Sequence, residues 1–365
     1  YARASGEVGV ALVTSGPGAT NAVTGIATAH SDSIPIVVIS GQVASSAIGT
    51  DAFQEVDMVG ITRHCVKHNF LVKQVDGLAN TIKKAFYLAR TGRPGPVVID
   101  VAKDVTQALH KFCYPQEQPF IRSYQPVIHA HKGQIKKAVQ LFALAKRPVV
   151  FFGGGIVLAN AEEELRHWIQ LTGVPCVSSL MGLGAYPASH PQFLGMVGMH
   201  GTYEANMAMQ QADMVLALGV RFDDRVISVP EKYLATAKKI IHIDIDPSSI
   251  AKRVPVNVPI VGDIKLALQA MTYQWEEKRL ILDHKGLQCW WEGIEQWRGR
   301  KSLSYLDDER IIKPQYVIES LAQLTRNRAY IASDVGQHQM FVAQYYPFEK
   351  SRQWFNSGGL GTMGV

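Results

Sequence analysis

Several groups of residues in this 365-residue chain could do chemistry. Ser15-Gly16-Pro17-Gly18 follows an apolar run, Val10 to Val13, and Gly41-Gln42 follows a second, Ile34 to Ile39. Further along, Gly153-Gly154-Gly155 closes the apolar run Pro148 to Phe152, and Arg221, Asp223, Asp224 and Arg225 cluster after Met214 to Leu218. Asp244 and Asp246 end the run from Lys239, and Gly262-Asp263 ends the next. Gly336-Gln337-His338-Gln339 follows Tyr330 to Ser333. Glycines after a strand let backbone approach a phosphate, an acidic strand end accepts a ribose hydroxyl, and polar groups with backbone donors hold an anion.

Each group has a plainer reading. Gly16 and Gly18 could only permit a turn. The chain has no strict GxGxxG, which weakens Gly153-Gly154-Gly155 as a phosphate signature. Asp246-Pro247-Ser248-Ser249 could cap a helix, and the Arg221–Arg225 cluster could be surface ion pairing. A lone histidine such as His338 is more often structural. His64-Cys65 with His68 lacks the second ligand pair that zinc needs, and His129 and His131 suit a solvated loop, so no metal site is expected.

The elements that would position these groups are legible from apolar runs. Val10–Val13 and Ile34–Ile39 lack polar alternation and are joined through a small-residue helix, Ala19–Ala29. That pattern predicts a parallel sheet covered on both faces. Phe70–Lys73 and Val97–Val101 are further strands, separated by a helix over Leu78–Arg90, with Lys103-Asp104 after the last. Residues 106–133 are polar and proline-spotted, a linker. Strands at Pro148–Phe152, Pro175–Leu180, Met214–Leu218, Lys239–Asp246 and Val258–Asp263 predict a second, Rossmann-like parallel sheet. Tryptophan-bearing helix runs from Ile264 to Lys301. A helix opened by Pro314, its buried side marked by Val317, Leu321 and Leu324, leads to one strand of a third α/β unit, Tyr330–Ser333. The expected organisation is 1–105, linker 106–133, central domain 134–272, helical linker 273–313, and 314–365.

The totals agree. Hydrophobic residues make up 47% and charged residues 19%, which suits a compact α/β protein. The net charge of +6 without a block of like charge gives little support to nucleic-acid binding. No apolar run reaches membrane-spanning length, so no membrane association is expected. The four cysteines are scattered, fitting reduced thiols in the cytoplasm. The start at Tyr1 and the stop in a glycine turn suggest an internal fragment of a longer protein.

Whole strings carry more. SGPGATN, then GQV and GTDAFQE, resemble the large catalytic subunit of the acetohydroxyacid synthase (acetolactate synthase) family, thiamine-diphosphate enzymes. GMHGTYEAN, GVRFDDR, HIDIDP, IVGD and GGLGTMG extend the resemblance over essentially the whole chain. It implies a three-domain α/β architecture with parallel sheets, the first and third domains truncated and the central one binding FAD. It places Gln54 and Lys103 beside the active site, and Ala44, Phe53 and Arg225 along the substrate channel. For FAD it implies Arg93, Gly153, Gly154, Gly155, His200, Gly201, Gly219, Arg221, Asp223, Arg225, Asp244, Asp246 and Asp263. For thiamine diphosphate it implies Gly336, Gln337, His338, Gln339, Gly361 and Met363. The family's catalytic glutamate and its Mg2+ motif would fall outside the segment, leaving it inactive alone.

The implied activity is a transferase reaction: decarboxylation of pyruvate and condensation of the two-carbon unit with pyruvate or 2-ketobutyrate. This opens valine, leucine and isoleucine biosynthesis. A homodimer of catalytic subunits and a small regulatory subunit are the implied partners. A flavin-dependent pyruvate oxidase, a glyoxylate carboligase and a binding module without catalysis are the competing readings.

Overall fold

A computed structural model describes residues 1–306, 308 and 310–364. They form two compact units: Tyr1–Pro126 together with the segment from Ser357, and Val127–Asn356.

In the first unit, strands β1 (Gly9–Val13), β2 (Ile36–Gln42), β3 (His68–Val72) and β4 (Pro96–Ala102) form a parallel sheet in the order β1-β2-β4-β3. β4 is buried along its whole length because it is central. The expectation of cover on both faces fails at the edge. Val10 and Leu12 of β1 are 56% and 77% exposed, while Gly9 is buried and Ala11 and Val13 pack inward. The helix expected over Ala19–Ala29 is two pieces, Pro17–Asn21 and Val23–Ser31, with Ala22 between them. Pro35 lies just before β2, so no ladder hydrogen bond is lost to it.

The second unit is built on a parallel sheet of β5 (Pro148–Phe152), β6 (Cys176–Ser178), β7 (Phe193–Met196), β8 (Met214–Leu218), β9 (Lys239–Asp244) and β10 (Val258–Val261). Its order is β10-β9-β8-β5-β6-β7, six strands rather than the expected five. The unexpected one, β7, is a short edge strand interrupted by Gly195. β5 and β8 are buried throughout, and their side chains alternate between two cores. Val150, Phe152, Leu216 and Leu218 meet helices Lys132–Phe142, Glu162–Thr172 and Ile264–Glu277. Val149, Phe151, Val215 and Ala217 meet Tyr203–Gln211 and His284–Arg298. Within the first core Trp168 and Trp275 meet edge to face with centroids 5.4 Å apart, a geometry that adds about 0.5–1.5 kcal/mol beyond area burial. Helix His284–Arg298, inside the expected linker 273–313, buries Trp290 and Ile294 against the sheet.

The residues after Pro314 pack on the β7 edge of this unit: Ala322, Val342, Tyr346 and Phe348 meet Leu183 and Met196. The expected buried side of the helix Pro314–Thr325 is corrected here. Val317, Leu321 and Leu324 are 49%, 37% and 85% exposed, and Ile318 and Ala322 face the core instead. Apolar spacing marked a stripe but not which neighbouring stripe is covered. In place of one strand, β11 (Ile331–Ala332) pairs in parallel with β12 (Trp354–Phe355).

Candidate functional site

Parallel sheets gather their strand-end loops at one edge. In the first unit that edge holds the Ser15–Gly18 turn after β1, the loop 43–57 after β2, and Lys103-Asp104 after β4. Gly16 has φ +61°, and a Cβ there would stand 2.9 Å from both the Cβ and the carbonyl oxygen of Gln54, itself at φ +61°. Gly16 is thus required by the close approach of the loop. Gly18 would meet only the Thr14 side chain, at 2.6 Å.

The loop is tied at several points. The Ser45 amide donates to Asp104 Oδ1 at 2.9 Å, and the Ser45 hydroxyl meets the other carboxylate oxygen. Glu55 accepts from the backbone amides of Gly49 and Ala52, which lower its pKa. The Ser45 contacts do the same for Asp104. The loop presents Phe53, 89% exposed, beside an exposed Gln54, with Ala44 at its start. Gln54, Phe53, Ala44 and Lys103 are therefore carried at one end of the first sheet.

Gly361 and Met363 are not. The Gly358 and Gly359 amides donate to Asp32, and Thr362 Oγ1 lies 2.6 Å from Thr28 Oγ1. Thr28 lies in the helix Val23–Ser31 and Asp32 caps its carboxyl end, where the chain returns to the amino-terminal end of β2, so the turn docks at the opposite end of the sheet. Arg93 is at that end too, its Nε donating to Ser33 Oγ at 2.8 Å.

In the second unit β5 neighbours both β6 and β8, so the chain reverses direction across the sheet between β5 and β8, the crevice where such sheets take ligands. Gly153, Gly154 and Gly155 follow β5, and Gly219 follows β8. A Cβ on Gly155 would lie 2.5 Å from the Gly219 Cα, and one on Gly153 would lie 2.6 Å from the Gly219 carbonyl. The two turns touch backbone to backbone. Ser178 Oγ, at the end of β6, is buried with no hydrogen-bond partner among the described residues.

The other predicted residues line the same edge. Asp223 Oδ1 accepts from the Arg225 and Val226 amides, fixing the turn. Arg225 is 3.8 Å from Asp224 with both side chains largely exposed, so the surface-pair reading holds for that contact. The Arg225 carbonyl accepts from the Met199 amide, which brings the His200-Gly201 loop beside it. Asp244 accepts from the Asp246 amide, while Asp246 caps the turn Pro247–Ser249 and Asp263 caps the helix Ile264–Glu277. Capping thus occupies part of both carboxylates. Behind the Arg221–Arg225 turn, buried His242 donates from Nε2 to the Val220 carbonyl, 2.9 Å away. Burial lowers its pKa to about 4.

Gln337 and His338 are exposed at the start of the helix Gln337–Tyr345. Gln339 is buried instead, its amide donating to Asn356 Oδ1 at 3.2 Å. Among the described residues no His, Cys, Asp and Glu cluster could hold a metal, and no helix is long and apolar enough to cross a membrane.

Sequence reasoning missed the network beneath the first site. Asp100 lies inside β4, 1% exposed, and accepts from Ser40 Oγ and Gln42 Nε2. Burial raises its pKa, with the Ser40 and Gln42 hydrogen bonds opposing the shift. The available signal was a carboxylate inside an otherwise apolar strand.

Three family descriptions match this arrangement. "Thiamine pyrophosphate enzyme, N-terminal TPP binding domain" covers residues 1–61, the corresponding central domain covers 135–271, and the C-terminal TPP binding domain covers 334–365. The chain belongs to the thiamine pyrophosphate enzyme family. Over its whole length it is similar to acetolactate synthase large subunits. It is 56% identical over 364 residues to the isozyme 3 large subunit of Escherichia coli (strain K12) and 54% identical over 367 residues to the large subunit of Haemophilus influenzae. It is 46% identical over 368 residues to the acetolactate synthase of Mycobacterium leprae. The chain spans 63% of the length of the first two relatives and 58% of the third.

Proposed function

We propose that this chain is the substrate- and cofactor-binding part of an acetolactate synthase catalytic subunit. The observation that carries this is 56% identity along the entire chain to a relative of that name. The substrates are pyruvate and, as second 2-ketoacid, pyruvate or 2-ketobutyrate, in cytoplasmic branched-chain amino acid synthesis. The proposed domains are 1–105, 134–272 and 314–365, joined by 106–133 and 273–313.

Bound thiamine diphosphate supplies the carbanion chemistry, and the protein binds, orients and shields it. Gln54 and Lys103, carried at one end of the first sheet, meet the reacting groups. Phe53 and Ala44 form the mouth of the channel. Gln337 and His338 offer donors to the diphosphate, whose charge Mg2+ offsets. In the central unit FAD has a structural role. The reversal between β5 and β8, the glycine turns there and the unpartnered Ser178 hydroxyl fit a dinucleotide. His200 and Arg225 are its further contacts.

A homodimer is part of the reading. Gly361 and Met363 dock at the end of the first sheet away from Gly16 and Gln54, which supports a site completed by the turn of a second copy. A small regulatory subunit is the further partner.

The test uses the full-length subunit carrying this chain, with thiamine diphosphate, Mg2+ and FAD. Acetolactate should form from pyruvate, and a yellow chromophore should be released on denaturation. Acetyl phosphate as main product, or glyoxylate as the preferred donor, would replace this reading with pyruvate oxidase or glyoxylate carboligase. An active, colourless subunit would remove FAD from it.

A further inference from the structure

We propose that Asp100 and Gln42 clasp the loop 43–56 shut and so position Gln54 for the reaction; the catalytic half of this rests on the function proposed above. Gln42 ends β2 and is 6% exposed. Its Oε1 accepts from the Val43 amide at 2.8 Å, where the loop leaves the strand. Its Nε2 donates to the Val56 carbonyl at 2.7 Å, where the loop returns, and to Asp100 Oδ2 at 3.0 Å. One side-chain amide therefore holds both ends of the loop, and both Nε2 hydrogens are used.

Asp100 fixes which way that amide faces. An ionised carboxylate only accepts, so Nε2 must turn to it, and Oε1 is then directed at Val43. The second carboxylate oxygen accepts from Ser40 Oγ at 2.7 Å. The carboxylate needs those donors, since a buried charge without partners is costly. The plainer reading makes this trio an internal tie between β2 and β4. An apolar pair would join the two strands without desolvating a charge, and would leave the loop ends unheld.

The loop needs such a hold because of what it carries. Gln54 has φ +61° and packs on the bare Cα of Gly16. A left-handed backbone at a non-glycine residue persists only where its surroundings over-determine it. Gln42 at the loop ends, Ser45 on Asp104, and Glu55 on Gly49 and Ala52 supply those surroundings.

Hydrogen exchange and kinetics test this together. In Asp100→Asn, amides of 43–57 should exchange about tenfold faster or more, as expected when hydrogen bonds to a charged group are lost. Amides of β8 serve as the unchanged reference. Gln42→Leu should do the same, and Ser40→Ala should do so more weakly. Wild-type exchange in the loop of both Asp100→Asn and Gln42→Leu overturns the clasp. So does acceleration spread equally over β4 and the loop, which is the signature of a merely structural tie.

In the full-length subunit, Asp100→Asn should lower kcat/KM for pyruvate about tenfold, and adding Gln54→Ala should cost little more. Additive losses, or a looser loop with unchanged kcat/KM, overturn the positioning role. If wild-type subunit makes no acetolactate, the proposed function fails and the exchange arm alone decides the clasp.

Discussion

Gly16 and Gln54 approach each other at backbone level: a Cβ on Gly16 would come within 2.9 Å of the Gln54 Cβ and carbonyl oxygen and 3.0 Å of its Cα. Both residues have φ +61°, so two left-handed positions from separate strand-end segments define this edge of the first sheet. The contact makes Gly16→Ala doubly unfavourable, through its own backbone and through displacement of Gln54.

Gly16→Ala should destabilise the first unit by roughly 1–3 kcal/mol, the cost of a strained backbone position, and speed exchange at 53–55. Gly18→Ala meets only a threonine side chain and should cost less. Denaturant unfolding with hydrogen exchange measures both. Equal stability of Gly16→Ala and wild type would refute the requirement.

That contact shows what the sequence could and could not convey. Gly16 and Gln54 were each placed near the site by separate motifs, but their touching depends on the path of a loop without periodicity. Apolar runs located β1 to β6 and β8 to β10; the central strands are apolar because both their faces are buried, while β1 is apolar although Val10 and Leu12 are exposed. They missed β7, which is short, lies at an edge and contains Gly195. They also mis-aimed the helix Pro314–Thr325, because Ile318 and Ala322 form a second apolar stripe beside Val317, Leu321 and Leu324, and it is that stripe which meets the core. Asp100 was visible only as an anomaly, since its role depends on which strand pairs with β4.

The contact between Gly155 and Gly219 gives a second prediction. A Cβ at 155 would lie 2.5 Å from a backbone atom that no rotamer change can move. Gly155→Ala should cost about 1–3 kcal/mol, as over-packing does, and, on the proposed function, weaken the full-length subunit's hold on FAD. Gly154→Ala meets Met181 Cβ at 3.2 Å and should be milder. Tryptophan fluorescence gives the unfolding midpoint and absorbance of the released chromophore gives occupancy. Retention of both by Gly155→Ala sinks the argument.

His242 makes the central unit acid-sensitive. Its folded pKa is about 4 because burial disfavours the imidazolium, against an ordinary value of 6.5. Between those values the unfolded chain binds a proton that the folded one refuses. Stability therefore falls as pH drops from about 6.5 to about 4, by roughly 3 kcal/mol in all. His242→Gln retains a donor for the Val220 carbonyl but cannot titrate, so its unfolding free energy should vary less over this window. Parallel pH profiles for the two proteins would show that another group is responsible.

Asp32 should anchor the segment 357–364. Its side chain is 1% exposed and accepts from Arg3, from the Gly358 amide at 3.3 Å and from the Gly359 amide at 2.6 Å. A buried carboxylate needs such donors, and hydrogen bonds to charged groups are worth about 1.5–3 kcal/mol each. Asp32→Ala removes the acceptor for both amides and leaves Arg3, 17% exposed, without this carboxylate. The segment should then become protease-sensitive, and its amides should exchange at least tenfold faster. The contact can be broken from the other side as well. A Cβ on Gly359 would stand 2.8 Å from Asp32 Oδ1, so Gly359→Ala should free the same residues while leaving Arg3 and Asp32 paired. Thr28→Val, which loses the hydroxyl contact with Thr362 and the hydroxyl's bond to the Thr24 carbonyl within its own helix, should loosen the segment less. Exchange of Gly358 and Gly359 at the wild-type rate in both Asp32→Ala and Gly359→Ala would show that the segment is held by something other than Asp32.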